Sequence, residues 1–348
     1  MTNPRLKPFL RVYHRQDEKH LFVGVGPDKV RIADPTPAMV DFVVGLDGSS
    51  SVEQLREKYP ETDDWLRGLA SVDVLEDVEG DVVLPADVAQ RWSRQINYLR
   101  LYDRPGWSGF DGQQRIRDAR VVVVGTGAGG TTLLRLLNAA GVGHLEAVDF
   151  DTFAIDNLPT HATLDEEDVG SHKLESLRRH LFRQNSRTAF TAHDRTIRSA
   201  DDLAELIDGA DFFLHAFDRP REHAAAWSNL ASLRTGTPLS SIGATDKGAR
   251  VGPTMLPGMT PCWECAGIYG FDILRHEETA ALTGSTVAML AGIAVNEVLQ
   301  LLSGAKPATR TSGQSLYVNT DTLTFTFTEY EFRPGCVCEQ YRRDRPAA

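Results

Sequence analysis

The chain is poor in sulfur, with four cysteines and five methionines in 348 residues. So few thiols exclude a disulfide-built secreted scaffold and leave room for one small cysteine cluster at most. Cations are the scarcer charge, 37 Lys and Arg against 48 Asp and Glu, for a formal net charge of −11. That balance argues against a nucleic-acid backbone as the main partner. Long apolar runs are missing too. The longest candidate, TVAMLAGIAVNEVLQLL at 286–302, contains Asn296 and Glu297 and reads as a buried core helix, so no membrane partner is expected. The first residues, MTNPRLKPFLRVYHRQ, contain no apolar stretch of signal-peptide length, and the expected location is the cytoplasm. No internal repeat or low-complexity tract is visible. A hydrophobic content of 41% suffices for packed cores, and the length favours two domains.

What the chain does have is concentrated at 120–151, RVVVVGTGAGGTTLLRLLNAAGVGHLEAVDFD. The run Val121 to Val124 is short, β-branched and ended by a glycine, as a central strand of a parallel sheet requires. Gly125, Gly127 and Gly130 then form GxGxxG. Their missing side chains let the turn tighten, let backbone N–H groups approach a phosphate, and let the following helix pack closely. The helix N-terminus adds its partial positive charge. Asp149 closes the next strand about 20 residues on, the spacing of a carboxylate that accepts ribose hydroxyls. Together these features read as a nucleotide-binding unit, without saying which nucleotide.

The flanks narrow the choice. They read RWSRQ at 91–95, GFDGQQRIRDARVVVVG at 109–125, VDFDTFAIDNL at 148–158, DVGSHKLES at 168–176, HAFDR at 215–219, PCWEC at 261–265 and PGCVC at 334–338. This ordered series resembles the ThiF-type adenylyltransferases of the ubiquitin-activating-enzyme superfamily, and within them the microcin-type peptide adenylyltransferases. The resemblance spans 91–340. It implies that Asp149 holds ribose with Asp151 and Asn157 in the same pocket. It implies that Lys173 reaches the ATP phosphates, that Asp218 binds Mg²⁺, and that Arg94 reaches the ATP site of a second protomer, hence a homodimer. A point cation and a hard metal on oxygen ligands suit developing phosphate charge. An NAD-dependent dehydrogenase would explain neither RWSRQ nor the cysteine pairs.

Two positions depart from the family pattern. Thr160 stands where an arginine usually follows NL, removing one cationic phosphate contact, with His161 or Arg219 as substitutes. His215 stands where an acid often opens DxxD, leaving Asp218 as the matched Mg²⁺ ligand. A degenerate scaffold that delivers a leader peptide to a partner modifying enzyme therefore stays open beside the active enzyme, as does a sulfur-carrier adenylyltransferase.

Cys262 with Cys265, and Cys336 with Cys338, make two close pairs that together supply four thiolates for a structural Zn²⁺; a disulfide is the alternative. With all four so placed, no cysteine is left for a catalytic thioester, and the expected product is an acyl-adenylate.

Residues 1–90 read as a separate small α+β unit. Strands are expected at 9–13, 21–25 and 29–32, helices at 36–46, 51–58 and 64–70, and a strand pair near 74 and 82–84. The order resembles the winged-helix-like peptide-clamp domains in front of microcin-type enzymes, and such a unit binds an extended peptide by strand addition. From 91 to 348 the expected class is α/β, a doubly wound Rossmann-like domain. Its strands should lie near 121–124, 144–149, 188–192, 211–217 and 238–242, its helices near 129–139, 171–184, 201–208 and 221–235. An antiparallel pair is expected within 316–332, and a loop over the site at 267–282. The activity this implies is ATP·Mg²⁺-dependent adenylylation of the C-terminal end of a precursor peptide or small carrier protein.

Overall fold

The computed structural model describes residues 1–342 apart from 15–18, 25–26, 28, 78–83, 105, 246–247 and 270–281. It divides into two compact units, Met1–Leu101 and Tyr102–Ala348.

In the first unit, Val12–His14, His20–Val23 and Val30–Ala33 form an antiparallel sheet in that order, and Pro4–Leu6 pairs with Leu75–Asp77. The helices Pro37–Val44, Val52–Lys58 and Thr62–Ser71 follow the expected positions. Ser51 caps the second through a reciprocal bond pair with Gln54, a device worth about 1 kcal/mol. The unit has its own core. Phe42 is fully buried and meets Tyr59 and Trp65 edge-on at centroid distances of 5.3 and 5.0 Å. Two expectations shift here. The strand Pro4–Leu6 was not anticipated, because three residues carry no alternation to detect. The strand at 82–84 lies largely outside the described residues. The helices Ala86–Arg91 and Ser93–Leu99, which carry RWSRQ, close this unit.

The second unit is built on an eight-stranded sheet. From one edge the order is Thr324–Glu329, Gln314–Asn319, Gly248–Val251, Leu239–Thr245, Phe212–His215, Arg120–Val124, His144–Asp149 and Ala189–Asp194. The last five are parallel and the first three attach antiparallel. Val121 to Val124 are at most 2% exposed, and each such side chain stabilises by roughly 1.5–3 kcal/mol relative to exposure. Helices Ala128–Ala140 and Lys173–Gln184 pack together, as do Ala200–Ile207 and Ala224–Thr235. Right-handed crossovers put these two pairs on opposite faces of the sheet. The long helix Gly284–Leu302 is apolar enough by composition to cross a membrane. Here it packs on Ala128–Ala140 and on the strand Leu239–Thr245, with Leu290, Ala291, Ala294 and Val298 buried.

Strand order reverses at Arg120–Val124, which has His144–Asp149 on one side and Phe212–His215 on the other. In such sheets a crevice opens at the carboxyl ends beside the reversal. The register aligns Val124 with both Val148 and His215, and Asp149 with Asp194. Gly125, Asp149, Arg195 and the segment Ala216 to Asp218 therefore all leave the sheet at one edge. The expected strands and helices of this unit are present within a few residues of their anticipated ends. Gly248–Val251 is an additional strand, hidden in the sequence because glycine, alanine and arginine give no alternation. The loop expected at 267–282 falls mostly outside the described residues.

Candidate active site

The glycine turn is held by steric necessity at two positions. Gly125 has φ +93°, and a Cβ there would sit 2.2 Å from the Ala216 carbonyl oxygen. A Cβ on Gly130 would lie 1.9 Å from the Gly125 oxygen. Gly127 differs, since a Cβ there meets nothing within 4 Å. The protein's own packing does not demand that glycine, and its missing side chain opens space for a ligand at the N-terminus of the helix Ala128–Ala140.

That space is a cavity of about 280 Å³ lined by Gly125, Gly127, Asp149, Asp151, Lys173 and Asp218, with Phe150, Arg195, Ile197 and Arg219 among its other walls. Asp149 is 9% exposed and both of its oxygens are engaged. One accepts from the Thr126 N–H and hydroxyl, each at 2.6 Å, and the other from the N–H groups of Phe150 and Asp151 at 2.7 and 2.9 Å. Burial pushes this carboxyl up, but the Thr126 and backbone bonds, with the Lys173 charge, hold it below the usual carboxylate range. An ionised carboxylate offers about four acceptor positions, so Asp149 already fixes the turn with its full set. Lys173 is buried, its Nζ 3.0 Å from Asp151 Oδ2 and its N–H bonded to the Asp151 carbonyl at 3.0 Å. The GSHK turn is thereby fastened to the DFD segment. Asp218 is exposed and faces Arg221 at 3.4 Å.

A second cavity, about 380 Å³, lies on the other side of the turn. It shares Gly127, Ala216, Phe217 and Asp218 with the first, and it is otherwise bounded by His215, Ile242, Arg250, Trp263 and Leu290. His215 accepts or donates at Nδ1 to the Ser228 hydroxyl at 2.9 Å, and burial, aided by the Arg250 charge, pushes it down to about 3. It is neutral at physiological pH. A cavity of about 840 Å³ is bounded by Arg104, Arg115, Asp118 and Lys306 and contains none of the candidate site residues.

The four cysteines, none of which lines either cavity, converge. Cys262 Sγ lies 3.9 Å from Cys265 and 3.5 Å from Cys336, and Cys265 lies 3.6 Å from Cys338. These separations are far too long for disulfides, whose S–S bond is about 2.05 Å. They match the roughly 3.8 Å between thiolates on a tetrahedral zinc with Zn–S near 2.3 Å. The Arg333 N–H points at Cys265 Sγ from 3.4 Å, the kind of bond that supports a thiolate ligand. Burial, with the neighbouring Cys265 and Cys262, pushes the Cys336 thiol up to about 12, and a divalent cation is what would favour four thiolates. The donor set fits zinc, which would cross-link the loop at 262–265 to the segment 336–338.

A model of the ThiF family matches residues 93–338. The chain belongs to the ThiF family. The Escherichia coli K12 molybdopterin-synthase adenylyltransferase is 30% identical over 253 residues, 72% of this chain and 96% of that protein. The E. coli sulfur carrier protein ThiS adenylyltransferase is 28% identical over 214 residues, 62% of this chain and 81% of that one. The fold is also that of E. coli MccB, solved with MccA-N7isoASN, at TM-score 0.82 and 19% identity over 97% of this chain and 99% of that one. With its family and fold established, this ThiF-family chain is an ATP-dependent adenylyltransferase of the E1-like superfamily.

Against this ThiF-family frame, the anticipated residues separate into three groups. Gly125, Gly127, Asp149, Asp151, Lys173 and Asp218 line one cavity, with Gly130 packed behind the turn. Asn157 lies outside the lining, in the short helix Ile155–Asn157, where its side chain accepts from the Ala154 N–H at 3.2 Å. Arg94 is exposed on Ser93–Leu99 in the other unit. Of the two substitutes for the arginine missing at Thr160, His161 supplies no cation near neutral pH. Burial, with the Lys173 charge, pushes it down to about 4, and its ring sits edge-on to Phe153 at 5.0 Å. Arg219 does line the first cavity. So does Arg195, which sequence reasoning missed. Its Nε is buried without a partner, and the only signal for it was its place one residue past a parallel strand.

Proposed function

We propose that this chain adenylylates the C-terminal carboxylate of a peptide or small carrier protein. The observation that carries this is the shared wall: two cavities meet at Gly127 and Ala216 to Asp218, one rich in charged side chains and one mostly apolar. ATP would lie in the first, with Asp151 toward the ribose beside the turn that Asp149 holds, and Lys173, Arg195 and Arg219 toward the phosphates. Asp218, at the wall, would hold Mg²⁺, which would supply positive charge against the charge developing on the phosphates. A carboxylate oxygen arriving from the second cavity would attack the α-phosphorus. The bond from that phosphorus to the bridging oxygen of the β-phosphate would break, pyrophosphate would leave with the electron pair, and the product would be an acyl-adenylate. Catalysis on this reading is alignment and electrostatics, with no covalent enzyme intermediate.

A peptide is favoured over a sulfur carrier by coverage. The MccB likeness takes in 97% of this chain, its N-terminal unit included, whereas the molybdopterin-synthase relative matches 72% of it. The three-stranded sheet of that unit would take an extended leader segment at its edge. Arg94 would complete the phosphate site of a second protomer in a homodimer, and zinc would staple the C-terminal segment. A leader-holding scaffold for a partner modifying enzyme is the second reading, favoured by Thr160 and by the neutrality of His161. Calorimetry with ATP and Mg²⁺, followed by pyrophosphate release on adding a short precursor peptide encoded beside the gene, separates the two. Nucleotide binding with release supports the enzyme; peptide binding without nucleotide binding supports the scaffold.

A further inference from the structure

Among the described residues Arg250 is the one strong cation of the second cavity, and it has no protein counter-ion there. It sits on the strand Gly248–Val251 opposite Gly243. Its guanidinium donates to the Gly252 carbonyl and, at 3.4 Å, to the Ser241 hydroxyl. Burial works against its charge, and the titratable groups that act on it are Tyr330 and Tyr317. Around it stand Phe217, Ile242, Trp263 and Leu290. A cation kept in apolar surroundings without an acid costs free energy unless an anion arrives to pair with it.

His215 belongs to the same cavity. An acid at that position would face Arg250 and neutralise it, while a neutral imidazole leaves the guanidinium free. The departure that resembled decay of the metal site thus falls on the far side of the glycine turn, in the cavity that does not hold Lys173.

We infer that Arg250 is the specificity-determining residue for the acyl substrate, pairing with a carboxylate on its last residue and drawing that residue into the cavity beside Asp218. The carboxylate is either the terminal one or that of an acidic terminal side chain, since both present the same planar pair of oxygens to a guanidinium. This rests on the adenylylation reading and names the chemistry of the end that is activated.

The full chain is titrated in calorimetry with three probes: N-acetylalanine, the α-amide of N-acetylaspartic acid, and N-acetylalaninamide. At least one of the acids should bind about ten-fold or more tightly than the neutral amide, as a charge-assisted pair requires, and which acid does so identifies the carboxylate. Arg250→Met should level the three while ATP·Mg²⁺ affinity stays unchanged, and Arg250→Lys should keep part of the preference. A measurement on the unaltered protein guards against a misfolded variant: phenylglyoxal modification of Arg250, read by peptide mass, should be slowed by the preferred acid and not by the amide. Equal binding or no binding of the three probes, an unprotected Arg250, or a preference that survives in Arg250→Met overturns the inference. Discrimination among probes without ATP binding would leave this recognition standing and remove adenylylation; ATP binding without discrimination would do the reverse.

Discussion

The two cavities beside the glycine turn share a wall and differ in almost everything else. The first carries Asp149, Asp151, Lys173, Arg195 and Arg219, with Lys173 bound to Asp151 and Asp149 to the turn itself. The other side is mostly apolar, with a neutral His215 and an Arg250 whose partners among the described residues are a hydroxyl and a carbonyl. On the proposed reading, the nucleotide site is organised before its ligand arrives, whereas the site for the chain end leaves one charge to be satisfied by it.

The largest effect should come from the wall. Asp218→Asn is expected to reduce ATP–pyrophosphate exchange by about a thousand-fold, the scale of removing a metal from a phosphoryl transition state, with circular dichroism unchanged. The side chain is 71% exposed, so the fold does not depend on it.

The glycines break the comparison in a different way. Gly130→Ala puts a Cβ 1.9 Å from a carbonyl oxygen and should cost roughly 3 kcal/mol in urea unfolding. Gly127→Ala meets nothing and should leave stability within about 0.5 kcal/mol while weakening nucleotide binding in calorimetry. If Gly127→Ala instead unfolds the protein, that glycine serves packing and not a ligand.

Lys173→Met should weaken ATP binding by about ten- to a hundred-fold, the cost of losing one buried charge partner of a phosphate. Acid binding in the neighbouring cavity should not change, because Lys173 lines only the nucleotide side.

The smallest effect is a pH dependence. His215 and His161 titrate at about 3 and about 4 in the folded chain, below the ordinary value of 6.5, because burial disfavours the imidazolium. The unfolded chain therefore binds more protons between pH 6.5 and those values, and stability falls as pH is lowered through that window. Denaturation series from pH 7 to 5 should show His215→Asn losing less stability than the parent. Parallel losses in the two proteins would mean that His215 is not neutral when folded.

Much of the nucleotide side was legible in the sequence because its chemistry is local. Glycines at fixed offsets, an acid at a strand end and a lysine opening a helix each sit within one strand–turn–helix unit, and the register of the parallel strands brings them together. The four cysteines were legible as a cluster for a similar reason, two tight pairs having few other uses. The second cavity was not. Arg250 lies on a strand that shows no alternation, and its neighbour His215 is 35 positions earlier in the chain, so only the antiparallel attachment of Gly248–Val251 reveals them as one site. Arg195 was missed because a charged residue after a strand has no motif. His161 looked like a cation in the sequence and is a buried neutral ring in the fold.

The central claim is that ATP and the acyl group meet across Asp218. A crystal structure with a non-hydrolysable ATP analogue and Mg²⁺ tests it most directly. The account expects the triphosphate over Gly125 and Gly127 on the Lys173 side, the metal on Asp218, and the α-phosphate facing the cavity of Arg250. A nucleotide seated in the Arg250 cavity, or a metal held away from Asp218, would contradict it.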